Sequence, residues 1–261
     1  MRRAKELHAE WTKLRTTPST AWLPLAAVVM TVGLSTAITA EAAPGTISCA
    51  DCDPARLSLS GIYLGQMAIV VLAVLAATGE YSSGLIITTL TATPRRLVVF
   101  AAKAAAVTTV VLPAGLVSVT ASLAVGRILL PANGFTAANG YPALSLTHGP
   151  VLRAAVGTVL YLDLVALLSL GIAIMLRHTA AALTTVLGLL YLVPILAQMV
   201  TNDRWHTWIE RYAPMSAGLA VQTTTALGRP SIHPWVGLGV LAAYAGTALI
   251  LGAAVFNTRD A

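Results

Sequence analysis

The chain has 261 residues, of which 57% are hydrophobic and 10% are charged, and its formal net charge at pH 7 is +6. This composition excludes an ordinary water-soluble domain, in which charged residues make up about a quarter of the chain. The basic residues form no long block, which favours membrane topology and lipid headgroups over nucleic-acid binding as the reason for the positive charge.

The first 17 residues predict an amphipathic helix that lies on a membrane surface. Ala4, Leu7, Trp11 and Leu14 recur at helical spacing and form one apolar stripe, and seven charged residues cover the remaining surface. Trp11 would then lie in the membrane interface, and Pro18 marks the turn into the first span. A plain topogenic tail is the alternative.

Six charge-depleted windows predict transmembrane helices. About 20 apolar residues suffice to cross a bilayer as a helix, and every window is longer than that. No window alternates polar and apolar residues with period two, so strands are not expected. Residues 128–152 are also uncharged, but their Pro, Gly and Asn residues predict a loop. We therefore predict an all-α polytopic membrane protein with one domain, 1–261, and a six-helix bundle at 21–256. The predicted helices are 21–40, 58–78, 97–123, 152–175, 180–200 and 236–256.

The distribution of Lys and Arg predicts that both termini face the cytoplasm. Ten of the 16 basic residues lie on the side of the termini, and the other six are spread over longer loops on the opposite side. The first span also has a feature of a signal peptide, because Ala40-Glu41-Ala42 resembles a cleavage site. Its 20-residue apolar run and its long charged leader favour a retained helix.

Two polar pairs fall on the predicted outer side. Cys49 and Cys52 lie in the first outer loop and form either a tight disulfide or two free thiols. His206 and Glu210 have an i, i+4 spacing that metal ligands use, but two residues make an incomplete site. We expect a solvated pair there and predict no metal site. The same helix carries an aromatic stripe typical of an outer membrane interface, formed by Trp205, Trp208, Ile209 and Tyr212.

Residues 215–227 follow Pro214 and are uncharged, but they are too few to cross a bilayer. Such a stretch can enter the bilayer and return only where protein or water covers its backbone. We therefore expect a re-entrant segment before the sixth span.

The segment between the second and third spans is the strongest candidate for a functional site. Glu80 ends the second span, Ser82–Gly84 turn the chain, and the run from Leu85 to Leu90 is too apolar to remain in water. That run must dock, either on the bundle or on a soluble partner.

The third span begins with a recognisable start signal. Thr93 and Pro94 supply a hydroxyl N-cap and a residue suited to the first turn, and Arg95 and Arg96 follow at headgroup level. Lys103 lies about 12 Å deeper than Arg95 at 1.5 Å per residue. Lys103 must snorkel or meet an anion, and Glu80 is the nearest carboxylate in sequence.

This order of features resembles the second cytoplasmic loop of ABC type-two exporter permeases. In both, a Glu at a helix end is followed by a Gly four residues on, a short amphipathic stretch, Pro-Arg-Arg and a Lys. Three other stretches are similar to the family, namely the N-terminal Leu7–Thr16, Leu176-Arg177 and the run from Arg211 to Gly218. One position departs from it, because many members carry Gly-Thr where this chain has Gly84-Leu85.

The resemblance implies that the loop is a coupling element on a separate ATP-binding-cassette subunit. The implied contact residues are Glu80, Ser83, Gly84, Leu85, Pro94, Arg95 and Arg96. The chain has no G-x-x-x-x-G-K-[ST] phosphate-binding loop, so ATP and Mg would be bound and hydrolysed by the partner and not by this chain. A second permease subunit, identical or related, would complete the path. The expected activity is export of a lipid, drug or small peptide across a bacterial plasma membrane.

Asp163 supports alternatives to this interpretation. It lies about 15 Å into the fourth helix, counted from Arg153, and a central Asp costs roughly 2.5–3.5 kcal/mol on insertion scales. Three roles stay open: a structural or subunit-interface role, a role in the export path, and proton coupling in a secondary transporter. A proton relay would need further ionisable partners. A non-transporting membrane scaffold is the third class of function.

Overall fold

The computed structural model describes residues 18–42, 53–82, 96–142, 144–145, 147, 149–199, 202–224 and 232–258. Within these ranges the chain is mostly helical and contains no strand. In this described part of the chain, six helices are long and apolar enough to cross a membrane, which confirms the predicted all-α class and agrees with the six predicted spans. The predicted surface helix at 1–17, the loop at 83–95, Cys49 and Cys52 lie outside the described residues.

Ten α-helices are labelled in chain order. The fifth span is made of α6, a π-helical turn at Gly188–Leu192 and α7. Short 3-10 turns lie at Ala137–Asn139 and Ala220–Gln222. The helices are α1 (Pro18–Glu41), α2 (Pro54–Ser58), α3 (Ile62–Ser82), α4 (Arg96–Ala132), α5 (Gly149–Leu176), α6 (Thr179–Leu187), α7 (Val193–Gln198), α8 (Asp203–Tyr212), α9 (Pro214–Leu219) and α10 (Pro234–Thr258).

Helix α4 is longer than predicted, because it continues through Pro113 and Pro131 to Ala132. The prediction that the loop begins at residue 128 is therefore wrong. Proline inside a helix costs about 3 kcal/mol, and burial along the helix outweighs that cost here. In its last turns, Leu130 is buried in a small cluster with Ala42 and Phe135, so packing holds the helix beyond the point where proline predicts an end.

Contacts between helix ends define two ends of the bundle. At one end, which we call the Asp53 end, the Gly61 amide donates to Ser35 Oγ at 3.0 Å, and Asn133 Nδ2 donates to the Thr39 carbonyl at 2.8 Å. At the other, the Arg96 end, Arg96 Nη1 donates to the Phe256 carbonyl at 3.2 Å. The starts and ends of successive spans alternate between these two ends, as a bundle with short connections requires.

The interior of the bundle is formed mainly by α3 and α5. About three fifths of the α3 window and over half of the α5 window are buried, against 22% for α1 and for the fifth span. Tyr161, Leu168 and Ile174 of α5 are among the most completely buried side chains. Helices α1, α10 and the fifth span are therefore peripheral, and α3 and α5 connect the two ends through the core.

Candidate functional site

The structure describes only part of the predicted coupling site. Arg96 begins α4, and the backbone of Glu80 belongs to α3. The side chain of Glu80 lies outside the described atoms, as do the residues that follow it in the loop, Ser83, Gly84, Leu85, Pro94 and Arg95. Contact between Lys103 and Glu80 therefore stays a prediction.

Two basic residues of α4 contact neighbouring helices near the loop. Lys103 is 4% exposed, and its Nζ lies 3.4 Å from the Ala76 carbonyl of α3. Arg96 contacts the end of α10 through the Phe256 carbonyl, and the Phe100 and Phe256 rings pack with their centroids 6.4 Å apart. A Lys this deep in an apolar helix is stabilised when its ammonium meets a backbone oxygen. The start of α4 is thus fixed to both α3 and α10.

The end of α3 contacts the corner between α5 and α6. The Arg177 guanidinium lies over the Tyr81 ring, 5.4 Å from its centroid, which is within the range of a cation–π contact. Arg177 has a positive φ of 54°, a left-handed conformation that non-glycine residues seldom adopt. That sharp turn ends α5 and starts α6 within two residues. One turn before Tyr81, the hydroxyls of Thr78 and Thr179 are 2.8 Å apart.

These four side chains, Tyr81, Arg96, Lys103 and Arg177, form what we call the basic frame. Tyr81 lies in the last turn of α3 and Arg96 begins α4, so two members of the frame flank residues 83–95, and Lys103 lies about two turns further along α4. The frame joins the two helices that carry the loop to α10 and to the α5–α6 corner.

At the Asp53 end, residues 214–224 pack between α5 and α10, and we call them the Pro214 segment. Close approach requires glycine on both flanking helices. A Cβ at Gly237 would lie 2.0 Å from the Ala217 carbonyl oxygen, and one at Gly157 would lie 2.2 Å from Val221. Neither separation is physically possible for real atoms, so both positions need glycine. Most side chains of the segment are buried, although it is too short to span.

Hydrogen bonds fix the end of the Pro214 segment to two other elements. Gln222 Nε2 donates to Thr158 Oγ1 at 3.2 Å, and Arg153 Nη2 donates to the Thr223 carbonyl at 2.5 Å. Asp53, only 4% exposed, accepts from both the backbone amide and the hydroxyl of Thr224, the latter at 2.6 Å. The same carboxylate caps α2 by accepting from the Ala55 amide at 3.0 Å. Asp53 therefore links the connection between the first and second spans to the connection between the fifth and sixth spans.

A buried polar network lies beneath this junction. Gln66 of α3 is fully buried; its Oε1 accepts from the Tyr161 hydroxyl and its Nε2 donates to the Tyr191 hydroxyl at 2.8 Å. Tyr191 in turn donates to the Tyr63 carbonyl, and Met215 Sδ lies 3.6 Å from Gln66 Nε2. The network connects α3, α5, the π-helical turn of the fifth span and the Pro214 segment through neutral groups.

Asp163 lies apart from both regions, on the side of α5 that meets α4. The residue is partly exposed, and Thr108 of α4 lies near its carboxylate. Its Oδ1 atom is buried and has no hydrogen-bond partner among the described residues. The structure therefore brings Asp163 into contact with neither the basic frame nor the Pro214 segment.

The aromatic helix is present as α8, with Trp205, Trp208 and Tyr212 exposed along one side. Trp208 packs on Tyr212 with ring centroids 4.9 Å apart. His206 Nε2 lies 3.9 Å from Glu210 Oε1, a solvated pair as predicted. Across the described part of the chain, no group of three or more His, Cys, Asp or Glu residues lies together.

Sequence reasoning missed Asp53 and Gln66. Asp53 followed by Pro54 is an N-cap with proline at the first helical position, a local signal that predicts the start of α2. No local signal indicates its partner, because Thr224 is 171 residues away. Gln66 is an uncharged polar residue inside an apolar span, and a search for charges alone overlooks it. Comparison of the sequence with protein-family models and with curated proteins finds no match.

Proposed function

We propose that this chain is the membrane-spanning permease subunit of an ATP-driven exporter of the ABC type-two class. The observation that carries the proposal is the basic frame, in which the two helices that flank residues 83–95 contact each other, α10 and the α5–α6 corner. A connection whose flanking helices are fixed in this way is suited to receiving force from a soluble partner. The resemblance to ABC type-two permeases supports the proposal, because Glu80, Gly84, Pro94-Arg95-Arg96 and Lys103 follow one another in the sequence as in that family.

In this proposal, the Arg96 end and both termini face the cytoplasm of a bacterial cell. The ATP-binding-cassette subunit docks there and hydrolyses ATP with Mg, while this chain binds neither. The residues proposed to contact the partner are Glu80, Ser83, Gly84, Leu85, Pro94, Arg95 and Arg96. A second permease subunit completes the path for a lipid, drug or small peptide.

The Asp53 end then faces outward, and the Pro214 segment is a re-entrant element in the outer part of the bilayer. Its support is the packing of a short buried stretch between α5 and α10, since backbone at membrane depth needs protein around it. Residues 1–17 lie on the inner surface as an amphipathic helix, and α8 places its aromatic side chains in the outer headgroup layer.

The test is recovery of an ATP-binding-cassette ATPase with the affinity-purified full chain from its own host. Leu85→Glu places a charge on the apolar docking run and is expected to reduce the recovered ATPase at least about tenfold, since a buried unpaired charge costs several kcal/mol. Ile128→Glu is the matched control. It makes the same change at an exposed position near the Asp53 end, and recovery is expected to persist.

Two results would contradict the proposal. One is labelling of Ser83→Cys by a membrane-impermeant maleimide added to intact cells, because the loop would then face outward. The other is purification of the unmodified chain, correctly inserted, with no ATPase subunit attached.

A proton-coupled secondary transporter is the second candidate, favoured by the partnerless Oδ1 atom of Asp163. It predicts that Asp163→Asn abolishes transport while depletion of ATP leaves transport unchanged in vesicles with an imposed proton gradient. The exporter proposal predicts that ATP depletion stops transport.

A further inference from the structure

One face of α5 is exposed along half of the helix and closed along the other half. Leu152, Val156 and Leu160 are 48%, 46% and 40% exposed and lie on one stripe. Asp163 continues this stripe by one turn. Towards the Arg96 end, Leu167 is partly exposed, and Leu170 on the same face is completely buried. The strongly exposed part of the stripe therefore ends at Leu160, one turn before the Asp163 carboxylate.

That carboxylate lies at the middle of the span. Asp163 is 14 residues from Gly149 and 13 from Leu176, the two ends of α5, so it is about 20 Å from each end at 1.5 Å per residue. Ionisable groups at this depth face protein or water and are costly against lipid. Thr108 neighbours the carboxylate, while Oδ1 has no hydrogen-bond partner among the described residues. The site thus combines an exposed apolar stripe with a carboxylate whose Oδ1 atom has no hydrogen-bond partner among the described residues.

We infer that the exposed face of α5 at Asp163 binds a lipophilic cation, with the cationic group on the carboxylate and the apolar body along Leu152, Val156 and Leu160. This inference names the cargo class of the proposed exporter, and it rests on that function for its biological meaning. Binding itself requires only the permease chain.

Charge complementarity favours a lipophilic cation over two other occupants of this face, a membrane lipid and a second copy of this chain. Lipid chains fit the apolar stripe, but the ammonium group of a lipid stays at the headgroup level, about 15–20 Å from the midplane. A second copy of this chain offers no suitable cation in the described spans. Lys103 is the basic residue nearest mid-span, and it is buried against α3 with its Nζ near the Ala76 carbonyl. A cation that arrives with the cargo satisfies the carboxylate.

The test uses the purified full chain in nanodiscs, without any ATPase, and equilibrium binding of tetraphenylphosphonium. Tetraphenylborate, an anion of nearly the same shape, is the probe control. The unmodified chain is expected to bind the cation in preference to the anion. Asp163→Asn is expected to weaken cation binding about tenfold, the scale of one partly buried ion pair. Asp163→Glu, which keeps the charge, is expected to retain binding within about threefold of the unmodified chain.

Equal affinity of Asp163→Asn and the unmodified chain for the cation would overturn the inference. Absence of cation binding by the unmodified chain would also overturn it. If the unmodified chain is an oligomer that Asp163→Asn dissociates into monomers, the carboxylate belongs to a subunit contact, and the inference is overturned as well. Thr120→Val, an exposed change on α4, controls for general effects of substitution. Because no ATPase is present, failure here leaves the recovery experiment for the exporter proposal unaffected.

Discussion

The two ends of the bundle are held together by different kinds of contact. At the Asp53 end, the Pro214 segment is fixed by hydrogen bonds from the Thr224 amide and hydroxyl to the buried Asp53 carboxylate, from Gln222 to Thr158, and from the Arg153 guanidinium to the Thr223 carbonyl. At the Arg96 end, the basic frame relies on cationic groups that contact backbone carbonyls and one aromatic ring. Directional hydrogen bonds to a buried carboxylate lose their full value when a partner moves, whereas a cation over an aromatic ring tolerates displacement. The comparison predicts a rigid Asp53 end and a more compliant Arg96 end.

The largest effect is expected from Asp53→Ala. The change removes the cap of α2 and both bonds to Thr224, and it leaves a buried amide without its acceptor. We expect a loss of about 2–4 kcal/mol of stability, measured as a lower thermal unfolding midpoint in detergent. Arg56→Ala, an exposed change on the same short helix, is the control and should have little effect. Equal midpoints for the two variants would mean that the Asp53 junction is not a strong connection.

Gln66→Leu tests the buried network below that junction. The hydroxyl of Tyr161 would lose its acceptor inside the core, at a cost of about 1–3 kcal/mol. The double variant Gln66→Leu/Tyr161→Phe removes both partners and is expected to recover part of that loss. Strictly additive losses in the same unfolding measurement would show that the two side chains are not coupled.

Gly237→Ala tests the close packing of the Pro214 segment against α10. Its Cβ would overlap the Ala217 carbonyl, so one element must shift, at a cost of about 1–3 kcal/mol. Gly239→Ala is a matched control on the same helix, because a Cβ there meets nothing within 4 Å. We expect the control to be neutral or slightly stabilising, since alanine favours helix over glycine. Protease cleavage within the segment, compared between the two variants, reports whether the segment has loosened.

Tyr81→Leu at the Arg96 end is expected to have the smallest effect. It removes the ring beneath Arg177, and a cation–π contact at a partly exposed site contributes about 0.5–1 kcal/mol. Tyr81→Phe keeps the ring and should preserve the unfolding midpoint. A loss for Tyr81→Leu as large as that for Asp53→Ala would contradict the difference between the two ends.

The sequence predicted the helical class and the six spans because charge-free runs of this length have few other solutions in a membrane. It was less successful with the limits of α4, where Pro131 predicts a loop and the burial of Leu130 maintains the helix. The docking role of the loop rests on the resemblance and on the apolar run from Leu85 to Leu90. The basic frame required tertiary structure, because Arg96 and Phe256 are 160 residues apart. The same is true of Asp53, whose partner is set by the packing of the Pro214 segment and not by any nearby residue.

The π-helical turn at Gly188–Leu192 has a geometric consequence for the fifth span. A wide turn accommodates one more residue than an α-helix of the same rise, so every side chain after Leu192 is rotated relative to an uninterrupted helix. The hydroxyl of Tyr191, within that turn, reaches Gln66 and the Tyr63 carbonyl. The one extra residue of the π-helical turn thereby sets the rotation of α7 about its axis, and hence the direction in which the chain approaches α8. An insertion of one residue in this span therefore rotates the following side chains about the helix axis, while the two ends of the span stay in place.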